Sequence, residues 1–270
     1  MTKTAIIAGA GGLPALLARA MGAQGSDFAI YQVAGFSMDN PDGLPVEEFM
    51  IERLAMLFQR MGQDGIDQVV FAGAITRPNL NPEMIDPQTA QQVLPHLLPL
   101  FQQGDDALLR GVIAVFEEFD FKVVGASDVV PGLLPAPGAL TGAAPEGRDA
   151  ADLARAQEIL ATLGPLDLGQ GVVVAAGQCL AIETLPGTRA MLDFVAQTRT
   201  GQGGVFVKAP KAGQDRRIDL PAIGPDTVDQ VAKAGLSGIV LESGGVMVLN
   251  RAAVQEAAEK AGIFIWVQEP

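Results

Sequence analysis

The sequence is short of basic charge, of cysteine and histidine, of aromatic residues and of long apolar runs. Lysine and arginine total 18 against 31 aspartates and glutamates, a net charge of -13. Non-specific nucleic-acid binding needs a basic face that displaces counterions from the phosphate backbone, so that class of partner is set aside. An anionic ligand must instead meet a local cluster of positive charge. The single cysteine, Cys179, allows no intrachain disulfide and points to a reducing compartment, the cytoplasm. Lying in an apolar run, it reads as a small buried hydrophobe rather than a reactive thiol. With one histidine as well, no structural zinc site is expected. That histidine, His96, stands between Pro95 and Leu97 on an apolar helix and reads as packed rather than catalytic. No apolar stretch approaches the roughly 20 residues that span a bilayer, so any membrane contact is peripheral. The opening Thr4-Ala5-Ile6-Ile7-Ala8 breaks at Gly9 and reads as a strand entering a turn, not as a secretory signal.

Hydrophobic residues make up 49% of the chain and aromatics only 5%, so the core is predicted to be aliphatic, the usual filling between helices and parallel strands. A chain of 270 residues forms one large α/β domain or two smaller ones, and two are expected. Strand-like runs at 4–8, 28–33, 68–72 and 122–125 alternate with helical patterns from about 13, at 51–61, 88–101 and 105–119. This alternation implies a Rossmann-like parallel sheet over 1–130. Residues 131–147 are rich in proline and glycine, without a period, and are read as a linker. From 148 to 270 a second α/β domain is predicted. Its helices fall at 151–163, 188–197, 225–234 and 251–261, and its strands at 172–176, 179–183, 204–208, 238–241, 246–249 and 263–267. The ligand is expected in a cleft between the two domains.

Three stretches could carry chemistry. Gly9, Gly11, Gly12, Leu13 and Pro14 lie where the first strand turns into the first helix, a place where backbone N–H groups can receive a phosphate or a nucleotide. The glycines could equally serve only a tight turn. The third glycine of the dinucleotide fingerprint is missing, and no acidic residue closes the strand 28–33, which weakens nicotinamide binding. Gly104, Asp105 and Asp106 open a helix, where the carboxylates either cap it or hold substrate hydroxyls. Residues 199–217 hold Arg199, Lys208, Lys211, Arg216 and Arg217, five cations in 19 positions of an acidic protein. That run leaves a strand at its carboxyl end, where α/β sheets bind ligands, and phosphate oxygens need such cations. Asp215 and Asp219 are hard oxygen ligands of the kind that hold Mg²⁺; each could instead pair with Arg216 or Arg217.

Four separated motifs, in order from end to end, resemble the LpxI-type UDP-2,3-diacylglucosamine pyrophosphatases, the DUF1009 family. They are Ile-Ala-Gly-Ala-Gly-Gly-Leu-Pro at the start, Gly-Asp-Asp-Ala-Leu-Leu-Arg in the middle, the stretch 166–174, and 208–226 with Ile-Asp-Leu-Pro-Ala-Ile-Gly-Pro. The resemblance implies a two-domain enzyme that uses a divalent metal, Mg²⁺, to cleave its UDP-linked diacylated glucosamine substrate to UMP and the 1-phosphate in lipid A synthesis. It places the enzyme in the cytoplasm, peripheral to the inner membrane, with a homodimer left open. Carried onto this chain, Gly9–Pro14 would serve the nucleotide, Gly104–Asp106 the cleft, and Lys208, Lys211, Gln214, Asp215 and Asp219 the diphosphate and metal, with Asp219 first among the carboxylates. The chain departs from the pattern at Leu185-Pro186-Gly187-Thr188-Arg189, where Thr188 is retained but proline is added and arginine replaces aspartate. The other readings of the residues are an NAD-dependent oxidoreductase, on the glycine turn, and a non-catalytic nucleotide-sugar binding protein.

Overall fold

The computed structural model describes residues 2–77, 79–102, 105–166, 168–211, 213, 215–218 and 220–270, with the side chains of 101, 102, 105 and 106 left aside. It divides into two compact α/β units. The first comprises Met1–Pro131 together with Asp215–Asp219, the second Gly132–Gln214 and Leu220–Pro270.

Unit 1 is built on a five-stranded parallel sheet of order β3-β2-β1-β4-β5. Its strands are β1 (Lys3–Ala8), β2 (Asp27–Val33), β3 (Glu47–Phe49), β4 (Gln68–Ala72) and β5 (Lys122–Val124). Central β1 is covered on both faces, which accounts for its unbroken run of Thr, Ala and Ile; all but Lys3 are buried. Helix α1 (Leu13–Ala23) follows it and buries Pro14, Leu17, Ala18 and Met21 on one face at helical spacing. The remaining helices are α2 (Leu54–Gln63), the short α3 (Leu94–Leu97), α4 (Asp105–Glu118) and the single-turn α5 (Ala126–Val129). The helix expected over 88–101 is broken into a π turn at Thr89–Val93, α3 and a 3₁₀ stretch at Leu98–Gln102; Pro95 and Pro99 within it cannot donate to a continuous ladder. The few aromatics are not dispersed. Phe58 meets Phe116 edge-on at 4.9 Å and also Phe119 and Phe121, and Phe71 meets Phe116 at 5.1 Å. The core of this unit is therefore partly aromatic, against the aliphatic core expected.

Unit 2 carries a six-stranded mixed sheet of order β6-β13-β11-β9-β7-β8. Its strands are β6 (Gly138–Thr141), β7 (Gly171–Ala175), β8 (Gln178–Ile182), β9 (Val205–Lys208), β11 (Gly238–Glu242) and β13 (Phe264–Gln268). The three central strands β9, β11 and β13 are parallel, while β6, β7 and β8 run antiparallel to their neighbours. Helices α7 (Gly187–Thr198), α8 (Pro225–Lys233) and α9 (Arg251–Ala261) enclose an aliphatic core of Val173, Leu192, Ile239, Leu241, Val254 and Ile265, and α6 (Gly147–Leu163) packs Leu153 and Ala156 into a second cluster with Val172, Val174 and Val205. A separate two-stranded ladder pairs β10 (Ala222–Ile223) with β12 (Met247–Val248). The segment 131–147, read as a linker, in fact places β6 on the sheet beside β13. Proline excludes a helix there but not an edge strand. Cys179, expected to be buried, is exposed; partial desolvation still pushes its thiol up, so it is a poor nucleophile. His96, expected to be packed, is half exposed, 3.6 Å from Glu118. Among the described residues no helix is long and apolar enough to cross a membrane.

Candidate functional site

In unit 1 the chain leaves β1 through Gly9 and enters α1 at Leu13, and β4 leaves the sheet beside it through Gly73. The two exits lock together. The Gly9 amide donates to Ala72 O at 2.8 Å, and Ala10 and Ala74 exchange both amide–carbonyl bonds at 2.9 Å. A side chain on Gly9 would start 2.6 Å from Ala74 O, and one on Gly73 would start 2.7 Å from Ala10 O. Gly9 is thus required by close backbone packing, the structural alternative for this glycine. Gly11 is held at φ 95° with open space where a side chain would begin, so the backbone conformation rather than crowding favours glycine. Gly12 has an ordinary φ of -88° and opens α1 without a side-chain cap, which leaves first-turn amides for a ligand. Asp39 lies at this turn. Its amide donates to Gly11 O at 3.0 Å, and its Oδ2 is 3.5 Å from where a Gly12 side chain would begin. The loop beyond β2 thus brings an acidic side chain to this turn.

The segment Asp215–Asp219 belongs to unit 1, although the residues on either side of it belong to unit 2. Ile218 anchors it, buried in the same core as Phe116 and Val123. Arg216 O and Arg217 Cα lie 3.4 and 3.5 Å from where a Gly125 side chain would begin, so the segment rests on the residue that follows β5. Gly9 follows β1, and only β4 separates β1 from β5. Strand spacing puts the glycine turn and this cationic segment about 10 Å apart along the same carboxyl edge. That is the edge at which α/β sheets bind ligands.

Asp215 accepts from the Arg217 side chain, Nη2 at 2.8 Å and Nε at 3.1 Å, and from the Arg217 amide at 3.0 Å. Hydrogen bonding to the Arg217 guanidinium holds its carboxyl below the usual range, and the same bond pushes Arg217 up. Arg217 also reaches Glu117 Oε1 at 2.6 Å, and Arg110 adds positive potential at Asp215. Asp215 is thus engaged in the ion pair with Arg217 that was the alternative reading for it. Among the described residues no group of three or more His, Cys, Asp and Glu could hold a metal ion. Asp219, Gln214 and Gly104 lie outside the described residues. Asp105 and Asp106 begin α4, with side chains outside the description.

In unit 2, Lys208 ends β9 at the carboxyl edge with its side chain only 4% exposed. Its Nζ donates to Thr188 Oγ1 at 2.5 Å and to Glu183 Oε2 at 3.1 Å. The Thr188 hydroxyl in turn donates to Glu183 Oε1 at 2.8 Å. Gly171, paired with Lys208 across the ladder, makes room for this trio: a side chain there would begin 2.5 Å from Glu183 Oε2 and 2.9 Å from Phe206 Cε2. Lys211 lies beyond Pro210, half-buried, and Arg189 pairs at 3.4 Å with Asp226 on the surface, a contact worth little. Sequence reasoning named Lys208 and Thr188 but missed Glu183, whose signal is an acid closing an apolar strand three residues before the Pro186-Gly187 turn. Arg110 was also missed, though it closes the Gly-Asp-Asp-Ala-Leu-Leu-Arg motif.

A cavity of about 380 Å³, lined by Ala55, Phe58, Gln59, Gln92, Asp120 and Phe121, lies at the amino edge of the unit 1 sheet, opposite the carboxyl edge that carries the glycine turn.

Residues 3–133 match the profile of the LpxI N-terminal domain and residues 136–266 that of the LpxI C-terminal domain. Over 277 aligned residues the chain is 38% identical to the UDP-2,3-diacylglucosamine pyrophosphatase LpxI of Caulobacter vibrioides, covering 100% of this chain and 99% of that protein. A solved structure of the precorrin-6A reductase CobK aligns over 100% of this chain and 88% of its own at 14% identity. Its TM-score of 0.37 supports no argument about fold or function.

Proposed function

This chain belongs to the LpxI family, and on that premise we propose that it hydrolyses the pyrophosphate bond of UDP-2,3-diacylglucosamine to UMP and 2,3-diacylglucosamine 1-phosphate. The observation that carries the reading is identity of 38% sustained over the whole chain, both domains included, with a relative of that name. The geometry is consistent with it in three respects. Uncapped first-turn amides at Gly12 and Leu13 suit the nucleotide phosphate, and Asp39 beside them suits hydroxyl groups of a ribose. Arg110, Arg216 and Arg217 stand on the same edge of that sheet. Within unit 2, Lys208 at the carboxyl edge of its own sheet is a cation suited to a phosphate oxygen and to the charge that builds on a leaving phosphate.

Mg²⁺ stays in the proposal with Asp219 as its carboxylate, on the strength of the Ile218-Asp219-Leu220-Pro221 motif. The described donors do not themselves form a metal site. A diacylated substrate also places the protein at the inner-membrane surface, on its cytoplasmic side. Leu166, Leu168 and Leu185, exposed at 65%, 44% and 94% on loops of unit 2, are the side chains that would meet lipid.

The test is incubation of purified protein with UDP-2,3-diacylglucosamine in detergent, with Mg²⁺ or with chelator. UMP and the lipid 1-phosphate should form in equal amounts, and chelator should stop the reaction until Mg²⁺ is restored. Intact substrate in the presence of Mg²⁺ overturns the assignment, and turnover unaffected by chelator removes the metal from it. NAD-dependent oxidation has no comparable support, since the relative is a pyrophosphatase by name and the glycine turn lacks the third glycine.

A further inference from the structure

We propose that Glu183 is a positioning residue of the reaction. With Thr188 it holds the Lys208 ammonium, out of bulk water, at the first turn of α7, where the remaining N–H of that ammonium meets a phosphate oxygen of the substrate. The inference rests on the hydrolytic reading above and deepens it.

The argument starts from burial. The side chains of Lys208 and Glu183 are 4% and 13% exposed. Charged side chains are almost never buried to this extent without partners. An ammonium has three N–H donors; one goes to Thr188 Oγ1 at 2.5 Å and one is shared between the two oxygens of the Glu183 carboxylate, Oε2 at 3.1 Å and Oε1 at 3.4 Å. Because Thr188 donates its own proton to Glu183 Oε1 at 2.8 Å, its oxygen is left to accept from Lys208. The ring of three is closed, and one ammonium donor remains for a ligand. Phe206 forms the floor, with its ring centroid 5.9 Å from Nζ, and its bulk denies the ammonium an alternative position.

Charge argues in the same direction. Thr188 is the second residue of α7, so the ammonium sits against the positive end of that helix dipole, where a cation is disfavoured. Glu183 offsets one of these two positive elements, and the local balance stays positive. A phosphate oxygen is the partner such a point lacks. Stability alone does not account for the arrangement, since desolvating a buried pair costs about what its attraction returns. The fold nevertheless reserves space for it. Gly169 and Gly171 both lie where a side chain would strike Glu183, at 2.9 Å from its carbonyl oxygen and 2.5 Å from Oε2 respectively.

The test uses the full chain, with steady-state hydrolysis of UDP-2,3-diacylglucosamine by wild type, Glu183→Gln, Glu183→Asp, Lys208→Met and Glu183→Gln/Lys208→Met. Glu183→Gln keeps the shape and removes the charge. It should lower kcat by about 100-fold, the scale seen when one charge-stabilising contact is lost. KM should stay within about threefold, because the contact tightens only as charge develops. Glu183→Asp should recover part of kcat. The double variant should be no slower than Lys208→Met alone, since Glu183 acts through that lysine. A kcat for Glu183→Gln within twofold of wild type, or losses that multiply in the double variant, overturns the proposal. Circular dichroism checks folding. If Glu183→Gln does not fold, Thr188→Val breaks the ring without stranding a charge and should show the same split, kcat falling at constant KM. A wild type that leaves substrate intact refutes the hydrolytic reading itself, whereas an active wild type with an unimpaired Glu183→Gln refutes only the role of Glu183.

Discussion

Replacing Gly9 and Gly12 by alanine, one at a time, separates what the glycine turn does for the fold from what it does for a ligand. At Gly9 the new Cβ would stand 2.6 Å from Ala74 O, 2.9 Å from Ala74 C and 2.7 Å from Ile75 Cγ1. Two of these atoms are backbone and cannot rotate away. Restoring ordinary contact requires a displacement of about 0.5 Å or more between the two loops, with the loss of the reciprocal Ala10–Ala74 pair, two bonds of 2.9 Å. At about 1 kcal/mol for each of the two bonds and about 1–3 kcal/mol for overpacking, the cost is roughly 3–5 kcal/mol. For units of this size that corresponds to a fall in Tm of about 10–18 °C. At Gly12 the backbone φ of -88° is open to any residue, and the nearest atom, Asp39 Oδ2, is 3.5 Å away. Its cost in stability is about 1 kcal/mol or less, the difference between glycine and alanine at an N-cap. Gly12→Ala should therefore fold nearly as well as wild type yet lose at least about tenfold in kcat/KM, because the methyl group projects into the space where a phosphate would approach the first-turn amides. Thermal unfolding of both variants beside turnover reads the two effects separately. A Gly9→Ala protein as stable as wild type would refute the packing argument, and a fully active Gly12→Ala would refute the ligand role of the turn.

Two further outcomes are expected. Asp152, 2% exposed on α6, accepts from Ala176 N at 3.0 Å and Gly177 N at 2.6 Å, and so holds the left-handed two-residue turn between β7 and β8; Asp152→Ala should destabilise unit 2 by about 2 kcal/mol, since water can reach the exposed turn, with Asp152→Asn costing less. Chemical denaturation measures this, and a loss under about 0.5 kcal/mol would contradict it. The second concerns acid. Asp215 is depressed by Arg217, so the stability from their pair is present above the ordinary carboxylate value of about 3.9 and is lost as pH falls through the lower folded value. The stability difference between wild type and Arg217→Met should be constant from about pH 8 to 5 and shrink below about pH 4; a difference unchanged near pH 3 would show that the pair does not titrate as described.

Much of the architecture was legible because it depends on local pattern. Apolar strands alternating with amphipathic helices imply parallel sheets, and the glycine turn and the strand-end lysine each lie at the carboxyl edge where that logic puts them. Three of the readings that failed did so for want of tertiary information. Composition counts aromatics without locating them, so the Phe58–Phe116–Phe121 cluster could not be foreseen. Proline in 131–147 marks a break but does not exclude the edge strand β6. Cys179 sits in an apolar run, yet it lies on β8, the edge strand of the sheet, where it stays exposed.

The sequence by itself determined the types of element, the place of the turns, and which residues could bear charge toward a phosphate, because those properties follow from each residue and its near neighbours. Only the tertiary structure decided how those charges are used. Residues 208 and 217 are near neighbours in the chain, yet Lys208 is balanced by Glu183 and Thr188 in one unit while Arg217 is bound to Asp215 and Glu117 in the other. Apart from Asp215, two residues from Arg217, the partners that set those contacts stand 20 to 100 residues away. The physical reason is that a buried or paired charge takes its energy from whatever acceptor the fold brings within hydrogen-bond distance, and spacing along the chain does not carry that distance.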